Sequence, residues 1–275
     1  MKLNALFKQN SVRLATLACL ATASMSAQAV VINWDYTVNS AFTASTFAAG
    51  TTNISTSANS LSWGTGNNGS SSLVLGNNPA NGNVDTFFGV NPPNAAPFRG
   101  FSTSITHNNN VISLPSTLLN ATLTSTLVLD PTNPNNPSLA PQNINFTIGF
   151  KETVNTAPCV VTSSPTPCND IFVLTGGLLN SSFMYDDGTG PSQYFINIFP
   201  VSGGILGTLT NAECAAVGEA NGCVGFTTPE SQSTTLQFGF AVSTQRLTVP
   251  EPGSLALAGL GLLGLAGLRS RRNRK

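Results

Sequence analysis

The feature that most constrains the fold is an alternation of apolar and polar side chains that returns along residues 30–249. Successive side chains of a β-strand point to opposite faces, so a period of two predicts a strand with one buried face. In residues 235–242 the predicted buried side chains are Leu236, Phe238, Phe240 and Val242. At the start of this region they are Ile32, Trp34, Tyr36 and Val38. About ten to twelve such segments predict one all-β domain, a β-sandwich or jelly roll.

The segments between the predicted strands carry turn-forming residues. Residues 77–97 are rich in Asn, Gly and Pro, which predicts a long surface loop. Residues 130–141 contain four prolines, which predicts a loop or an edge connection. Asp186 and Asp187 precede Gly188, and an Asp-Gly pair is typical of a hairpin turn. Residues 211–220 are the only segment of the body for which we predict a short helix.

The N-terminal end is typical of a secretory signal peptide. Lys2, Lys8 and Arg13 precede an apolar run over residues 14–23. Ala27 and Ala29 then form an A-x-A cleavage site for signal peptidase. We therefore predict that residues 1–29 direct export and are removed, so that signal peptidase and the export machinery are expected partners.

The C-terminal end combines three signals in a fixed order. Pro250-Glu251-Pro252 stops regular structure, because each proline fixes φ and removes a backbone donor. Residues 253–268 carry no charge. As a helix they would span about 24 Å, slightly short of the ~30 Å hydrocarbon core of a bilayer. Residues 269–275 contain five basic side chains, which the positive-inside rule places in the cytoplasm. The sequence thus predicts a transmembrane helix over 253–268, with the body outside the cytoplasm.

This tail, residues 250–275, resembles the PEP-CTERM sorting signal of Gram-negative bacteria. The resemblance rests on Pro250-Glu251-Pro252, on the apolar segment and on the basic cluster with Arg269, Arg271 and Arg272. It implies cleavage near Pro-Glu-Pro by an exosortase, a membrane-embedded protease. The precursor would lie in the inner membrane, and the body would then be released or re-anchored at the cell surface. A C-terminal membrane anchor that is never cut is the alternative.

Charge and cysteine content narrow the classes of function. Residues 30–249 hold three basic and ten acidic side chains, a formal net charge of −7, which argues against a nucleic-acid partner. Four cysteines remain in this body, and an even number in an exported chain predicts disulfides. Three connectivities are open, and the simplest pairs each cysteine with its nearest neighbour: Cys159 with Cys168, and Cys214 with Cys223.

His107 is the only histidine, so any histidine-dependent site must use it. It could ligate a metal or act as a general base. The interpretation we favour is that Thr106, His107 and Asn109 end a strand and satisfy the backbone of a turn. Together with residues 61–64, which include Trp63, this segment resembles the THxN family of PEP-CTERM proteins. That resemblance implies no established activity.

We therefore predict an exported cell-surface protein with a structural or adhesive role. The PEP-CTERM resemblance implies an association with exopolysaccharide or biofilm. The alternative is a carbohydrate- or calcium-binding module around Trp63, His107 or Asp186-Asp187. A secreted hydrolase is the third hypothesis, and it requires two carboxylates close together. We predict no catalytic residue, no metal and no cofactor, with calcium as the one ion considered.

Overall fold

The computed structural model describes residues 30–248 except 67, 114, 134, 157, 160–167, 177–179 and 202–205. The predicted signal peptide, and the predicted transmembrane helix with its basic tail, lie outside the described residues. The described part contains fourteen β-strands and one α-helix. In chain order the elements are β1 (Asn33–Phe47), β2 (Ser55–Thr56), β3 (Ser60–Gly66), β4 (Gly69–Gly76), β5 (Ala80–Asp85), β6 (Gly100–Asn108), β7 (Leu118–Asn133), β8 (Gln142–Lys151), β9 (Asp170–Thr175), β10 (Ser181–Asp186), β11 (Pro191–Pro200), β12 (Gly207–Thr208), α1 (Asn211–Val217), β13 (Val224–Thr228) and β14 (Ser233–Ser243).

The strands form two seven-stranded sheets. Sheet 1 has the order β12-β13-β9-β8-β7-β1-β5, and sheet 2 has the order β10-β11-β14-β6-β4-β3-β2. Neighbouring strands are antiparallel in both sheets. The inner faces of both sheets contribute to one hydrophobic core, which confirms the predicted all-β sandwich. The strand count exceeds the predicted one partly because β2 and β12, each of two residues, lie at sheet edges where the sequence shows no alternation.

The predicted alternation is confirmed with one exception. Leu236, Phe238, Phe240 and Val242 are all buried in β14, and Trp34, Tyr36 and Val38 are buried in β1. Ile32, which shares their phase, is 49 % exposed. The prediction for Ile32 is wrong because the alternation of β1 begins at Asn33, and the segment before it buries Val31 in place of Ile32.

Two segments that we predicted as loops contain strands. Strand β5 lies within residues 77–97 and pairs with β1, and its Ala80 and Val84 are buried. Strand β7 continues into residues 130–141, where Pro131 lies opposite Trp34 beside an irregularity in the register. Such an irregularity accommodates a proline, which has no N–H to donate to the ladder. Burial against the core therefore outweighs local turn composition in both segments.

Helix α1 confirms the predicted short helix, although it ends at Val217 instead of residue 220. The Thr210 hydroxyl accepts a hydrogen bond from the backbone N–H of Glu213, and the Glu213 carboxylate accepts one from Thr210. This reciprocal capping box fixes the first turn. Gly218 has φ 83°, the left-handed conformation that commonly ends a helix.

Both predicted disulfides are present, Cys159–Cys168 and Cys214–Cys223. The first closes the connection between β8 and β9, and the second joins α1 to the segment just before β13. Within the described ranges, no helix has the length and apolar character needed to cross a membrane.

Candidate functional site

Three acidic side chains lie close together at one end of the sandwich. Glu152, Asp170 and Glu230 are 3 %, 1 % and 6 % exposed, respectively. One ligating oxygen from each carboxylate lies within 4.8 Å of the other two. Charged side chains are rarely buried unless they are paired or bind an ion, so this acid cluster is the most unusual feature of the described residues.

Strand pairing explains how residues so far apart in sequence meet. Glu152 directly follows β8, Asp170 is the first residue of β9, and Glu230 lies in the turn between β13 and β14. Lys151 pairs with Ile171, and Asp170 pairs with Thr228. Because neighbouring strands are antiparallel, the C-terminal end of β8, the N-terminal end of β9 and the C-terminal end of β13 lie at the same end of sheet 1.

Two of the three carboxylates each accept a hydrogen bond through one of their oxygens. Asp170 Oδ1 accepts a hydrogen bond from the Thr153 backbone N–H at 2.8 Å. Glu152 Oε2 accepts one from the Trp63 indole N–H at 3.5 Å, the long limit for such a bond. Glu152 and Asp170 also interact with each other, and Glu230 interacts with the Asn109 side chain. Glu152 Oε1, Asp170 Oδ2 and both Glu230 oxygens nevertheless lack a hydrogen bond of good geometry among the described residues.

Burial disfavours the ionised form of all three acids. Burial, together with the charges of Asp170 and Glu230, raises the pKa of Glu152 to about 10. Burial also raises the pKa of Asp170 to about 8, against the opposing hydrogen bond from Thr153. The pKa of Glu230 is raised by burial and lowered in part by the Asn109 side chain. The cluster therefore requires protons or a cation to offset its charge.

His107 and Trp63, two of the residues singled out in the sequence, lie beside this cluster. Both are fully buried, and their rings stack with centroids 6.1 Å apart. The Phe150 ring packs edge-on against His107 at 5.0 Å. Burial lowers the pKa of His107 to about 3, so the imidazole is neutral at physiological pH. Neither ring nitrogen has a hydrogen-bond partner within the described part of the chain.

These positions correct two sequence interpretations. His107 does not satisfy a turn, because it lies inside β6 with its ring in the core. Its neighbour Thr106 points outward and shares a hydrogen bond with Thr235 at 2.8 Å. Trp63 is fully buried, so it cannot be the exposed aromatic platform that a carbohydrate-binding module requires.

Asn109 connects the predicted motif to the acid cluster. Its side-chain N–H donates to the Thr228 carbonyl oxygen at 3.0 Å, which fixes the amide beside the turn that carries Glu230. The side chain also acts on the Glu230 carboxylate, whose pKa it lowers. Asn109 is 1 % exposed, and its Oδ1 has no partner in the described ranges. Of the motif residues, Asn109 reaches the cluster directly and Thr106 does not.

The Asp186-Asp187 segment confirms the predicted hairpin turn between β10 and β11. Asp186 Oδ1 accepts hydrogen bonds from the backbone N–H groups of Gly188 and Gly190, at 2.8 and 3.1 Å. Asp187 Oδ1 accepts from Thr189. These carboxylates close the turn, and the structure does not bring them to the acid cluster.

Glu152, Asp170 and Glu230 are not among the site residues predicted from the sequence. Asp170 lies 18 positions after Glu152, and Glu230 lies 60 positions after Asp170. Only the pairing of β8, β9 and β13 brings them together. One signal was available, since Glu152 and Asp170 each adjoin an apolar run that forms a buried strand.

The fold and the tail together define a class, an exported all-β protein built as a two-sheet sandwich. The family model described as the PEP-CTERM protein-sorting motif matches residues 248–272. The chain therefore carries a signal for exosortase processing, which implies export and sorting to the cell surface of a Gram-negative bacterium. The matched range contains Pro250-Glu251-Pro252 and Arg269, Arg271 and Arg272. A search among curated proteins gives no match. Membership of the THxN group stays a prediction.

Proposed function

We propose that the body of this protein has a structural or adhesive role at the cell surface, where it contacts the exopolysaccharide or biofilm matrix. The sorting motif supports the location. The centre of the outer face of sheet 1 supports the proposed polysaccharide contact, because the side chains there on β1, β7 and β8 are mostly neutral hydroxyls and amides. Such groups match the hydrogen-bonding groups of a polysaccharide.

At the centre of this outer face, a ladder of Thr and Asn side chains crosses β1, β7 and β8. The Thr43 and Thr124 hydroxyls lie 3.0 Å apart, and Thr124 donates to the Asn145 side-chain oxygen at 2.8 Å. One step along the strands, Thr126 donates to the Asn143 side-chain oxygen at 2.7 Å. Cross-strand pairs of this kind hold the side chains in a fixed, flat array. That array is the single observation on which the proposed polysaccharide contact depends.

We also propose that the protein is not an enzyme. The hydrolase hypothesis requires two close carboxylates with displaced pKa values, and Glu152 and Asp170 meet that requirement. A glycoside hydrolase must also bring both carboxyl groups to the sugar. Glu152 and Asp170 are 3 % and 1 % exposed, so a polymer on the surface does not reach them.

The test of matrix binding is cosedimentation of the exported protein with the exopolysaccharide of its own host. Thr124→Val keeps the shape and strand preference of the side chain and removes the hydroxyl at the centre of the ladder. We expect it to weaken binding by about fivefold, the equivalent of one neutral hydrogen bond of ~1 kcal/mol. Thr235→Val is the matched control, since Thr235 pairs with Thr106 on the outer face of sheet 2. No binding above background, or equal loss in both variants, contradicts the proposal.

We further propose that residues 253–268 hold the precursor in the inner membrane until an exosortase cuts near Pro250-Glu251-Pro252. Mass spectrometry of protein recovered from the surface and medium of the host should give a C-terminus close to these residues. An intact C-terminus at Lys275 would instead identify a permanent membrane anchor.

A further inference from the structure

We propose that Glu152, Asp170 and Glu230, together with Asn109, form a binding site for a single Ca²⁺ ion. This site is independent of the proposed polysaccharide contact, which lies on the outer face of sheet 1. Four features of the molecule support such a site: the ligand spacing, the unpartnered buried oxygens, the hydrogen bonds that orient the carboxylates, and the placement of the cationic side chains.

The spacing of the carboxylates fits one calcium ion. Calcium is bound by oxygen ligands at about 2.4 Å, so two ligands on opposite sides of the ion lie about 4.8 Å apart. The three carboxylate oxygens fall within 4.8 Å of one another. Magnesium usually keeps several of its waters and is seldom bound by an all-protein cage, so a buried set of protein oxygens favours calcium. Every candidate ligand atom is an oxygen, which favours a hard cation over zinc.

An independent observation is the amide oxygen of Asn109. This atom is buried and without a partner among the residues described, while the amide nitrogen of the same side chain is anchored to the Thr228 carbonyl. A buried amide oxygen that accepts no hydrogen bond is costly, and asparagine oxygens are common calcium ligands. The Thr228 hydroxyl is also fully buried and unpartnered in the described part of the chain. A cation beside Glu230 would satisfy the Asn109 oxygen.

The carboxylates are oriented in the way that bound metals require. Asp170 is held through Oδ1 by Thr153, and Glu152 through Oε2 by Trp63. Each therefore leaves its second oxygen, Oδ2 or Oε1, without a hydrogen bond from an N–H or hydroxyl group of the described residues. The neighbouring carboxyl group is the partner that a bound cation would displace. Partners of this kind orient metal ligands in many proteins.

The cationic side chains of the body lie elsewhere. Lys151 is exposed although it adjoins Glu152 in sequence. Arg99 lies over the Phe101 ring and Arg246 over the Phe195 ring, each at 5.3 Å. Within residues 30–248, these are the only three Lys and Arg side chains. A bound divalent cation would offset the carboxylate charge that they leave unpaired.

Such an ion would join the two sheets at this end of the sandwich. Glu152 and Asp170 lie at the ends of the neighbouring strands β8 and β9 of sheet 1, whereas Asn109 follows β6 of sheet 2. Glu230 lies in the turn that passes from β13 of sheet 1 to β14 of sheet 2. We therefore expect calcium to stabilise the folded body.

The test uses the exported protein recovered from its host, measured in calcium and in a chelator. At a calcium concentration about a hundred times the Kd, the linkage relation predicts a rise in Tm of about 5–10 °C for a domain of this size. Terbium, a luminescent substitute for calcium, should show emission sensitised by Trp63, whose indole N–H lies 3.5 Å from the Glu152 carboxylate. Trp34→Phe should leave that emission unchanged.

Glu230→Gln is the informative variant, because it removes one carboxylate charge, keeps the size of the side chain and leaves an amide oxygen that can still accept from Asn109. We expect it to fold in chelator at least as stably as the wild type and to lose most of the calcium-dependent rise in Tm. Glu219→Gln, the same change next to α1, should keep the full rise.

A wild-type Tm that is equal in calcium and chelator, without terbium emission, overturns the proposal and means that protons neutralise the cluster. Retention of the full rise by Glu230→Gln also overturns it. If that variant does not fold, the wild-type measurements decide.

Discussion

The two tryptophans of the body are both fully buried, but their surroundings differ in one respect. Trp34 lies in an aromatic cluster, edge-on to Phe183, Tyr185 and Tyr194 with centroids 5.3–6.1 Å away. Its indole N–H donates to the Thr86 hydroxyl at 2.8 Å, and that hydroxyl donates to the Val31 carbonyl. The Tyr194 hydroxyl accepts from the Val31 N–H at 2.8 Å. Every polar group named at the Trp34 end has a partner.

The Trp63 end contains several buried polar atoms that lack a hydrogen-bond partner among the described residues. The indole N–H of Trp63 reaches Glu152 only at 3.5 Å, and the adjacent His107 ring makes no hydrogen bond in the described ranges. The two ends are opposite, since Trp34 pairs near the end of β7 with Pro131, whereas Glu152 follows β8, which pairs Gly149 with Asn120 near the start of β7.

This difference in hydrogen bonding indicates which end of the sandwich stabilises the fold and which end can bind a ligand. A satisfied, neutral network contributes to folding in any buffer. A buried cluster of unpartnered carboxylates lowers stability until something neutralises it. The Trp34 end thus has the chemistry of a structural core, and the Trp63 end has the chemistry of a site. The following predictions test this contrast, from the largest effect to the smallest.

Trp34→Ala should lower the free energy of unfolding by about 3–5 kcal/mol, because it leaves a large cavity among three aromatic rings. The loss should be the same in calcium and in chelator, since no acid of the cluster contacts Trp34. Urea unfolding of the variant in both buffers measures this. A loss that depends on calcium would show that the two ends are coupled, and the contrast would fail.

In chelator, the free energy of unfolding should fall by a few kcal/mol as the pH rises from about 4 to 8. Glu152 and Asp170 have folded pKa values of about 10 and about 8, above their usual values of 4.5 and 3.8. Their protonated forms therefore contribute stability that is fully present below the usual values and is lost as the pH rises through the folded ones. Burial also raises the pKa of Tyr194, but from 10, so the Trp34 end should respond only above pH 10.

Urea unfolding at a series of pH values measures this slope. Glu152→Gln, which removes one of the three acids whose pKa is raised, should flatten this slope, and Glu219→Gln should not. A free energy that rises with pH over the same range would be incompatible with buried protonated acids.

The two disulfides offer a matched comparison, since both join cysteines nine positions apart. Replacing either pair with serine should lower the free energy of unfolding by about 2–3 kcal/mol, in the loop-entropy account. Only the loss of Cys159–Cys168 should also reduce the calcium-dependent rise in Tm. The Cys168 carbonyl accepts a hydrogen bond from Thr153, whose N–H holds Asp170. Equal calcium responses in the two disulfide variants would show that this loop does not position the site.

The sequence predicted most of the fold, because the alternation in β1, β8 and β14 records one buried face directly. It failed where long-range burial decides the structure. Strand β5 has a composition typical of a loop, and only contact with β1 explains why Ala80 and Val84 are buried. Cysteine spacing predicted the disulfides, because short loops bring their ends together at low entropic cost.

The candidate site could be predicted only in part. Trp63, His107 and Asn109 were singled out, but their environment was not, because the three acids come from separate strands and a turn. An isolated Glu or Asp in a sequence is most often a solvated side chain. What distinguishes Glu152, Asp170 and Glu230 is burial, which depends on how β8, β9 and β13 pair. Spacing along the chain does not contain that information.

The substitutions with the smallest expected effect on stability, Trp→Phe at each site, should give the clearest difference between the two tryptophans. Trp34→Phe and Trp63→Phe each keep an aromatic ring and remove one indole N–H, so each should cost about 1 kcal/mol in the free energy of unfolding in chelator. Trp63→Phe should in addition weaken calcium binding by about tenfold, because the Glu152 carboxylate loses the group that orients it. Trp34→Phe should leave calcium affinity unchanged. Titration of Tm against calcium concentration measures both variants. Equal calcium affinities would mean that Trp63 only fills the core, as Trp34 does, and that Glu152 is oriented by packing instead of by the indole.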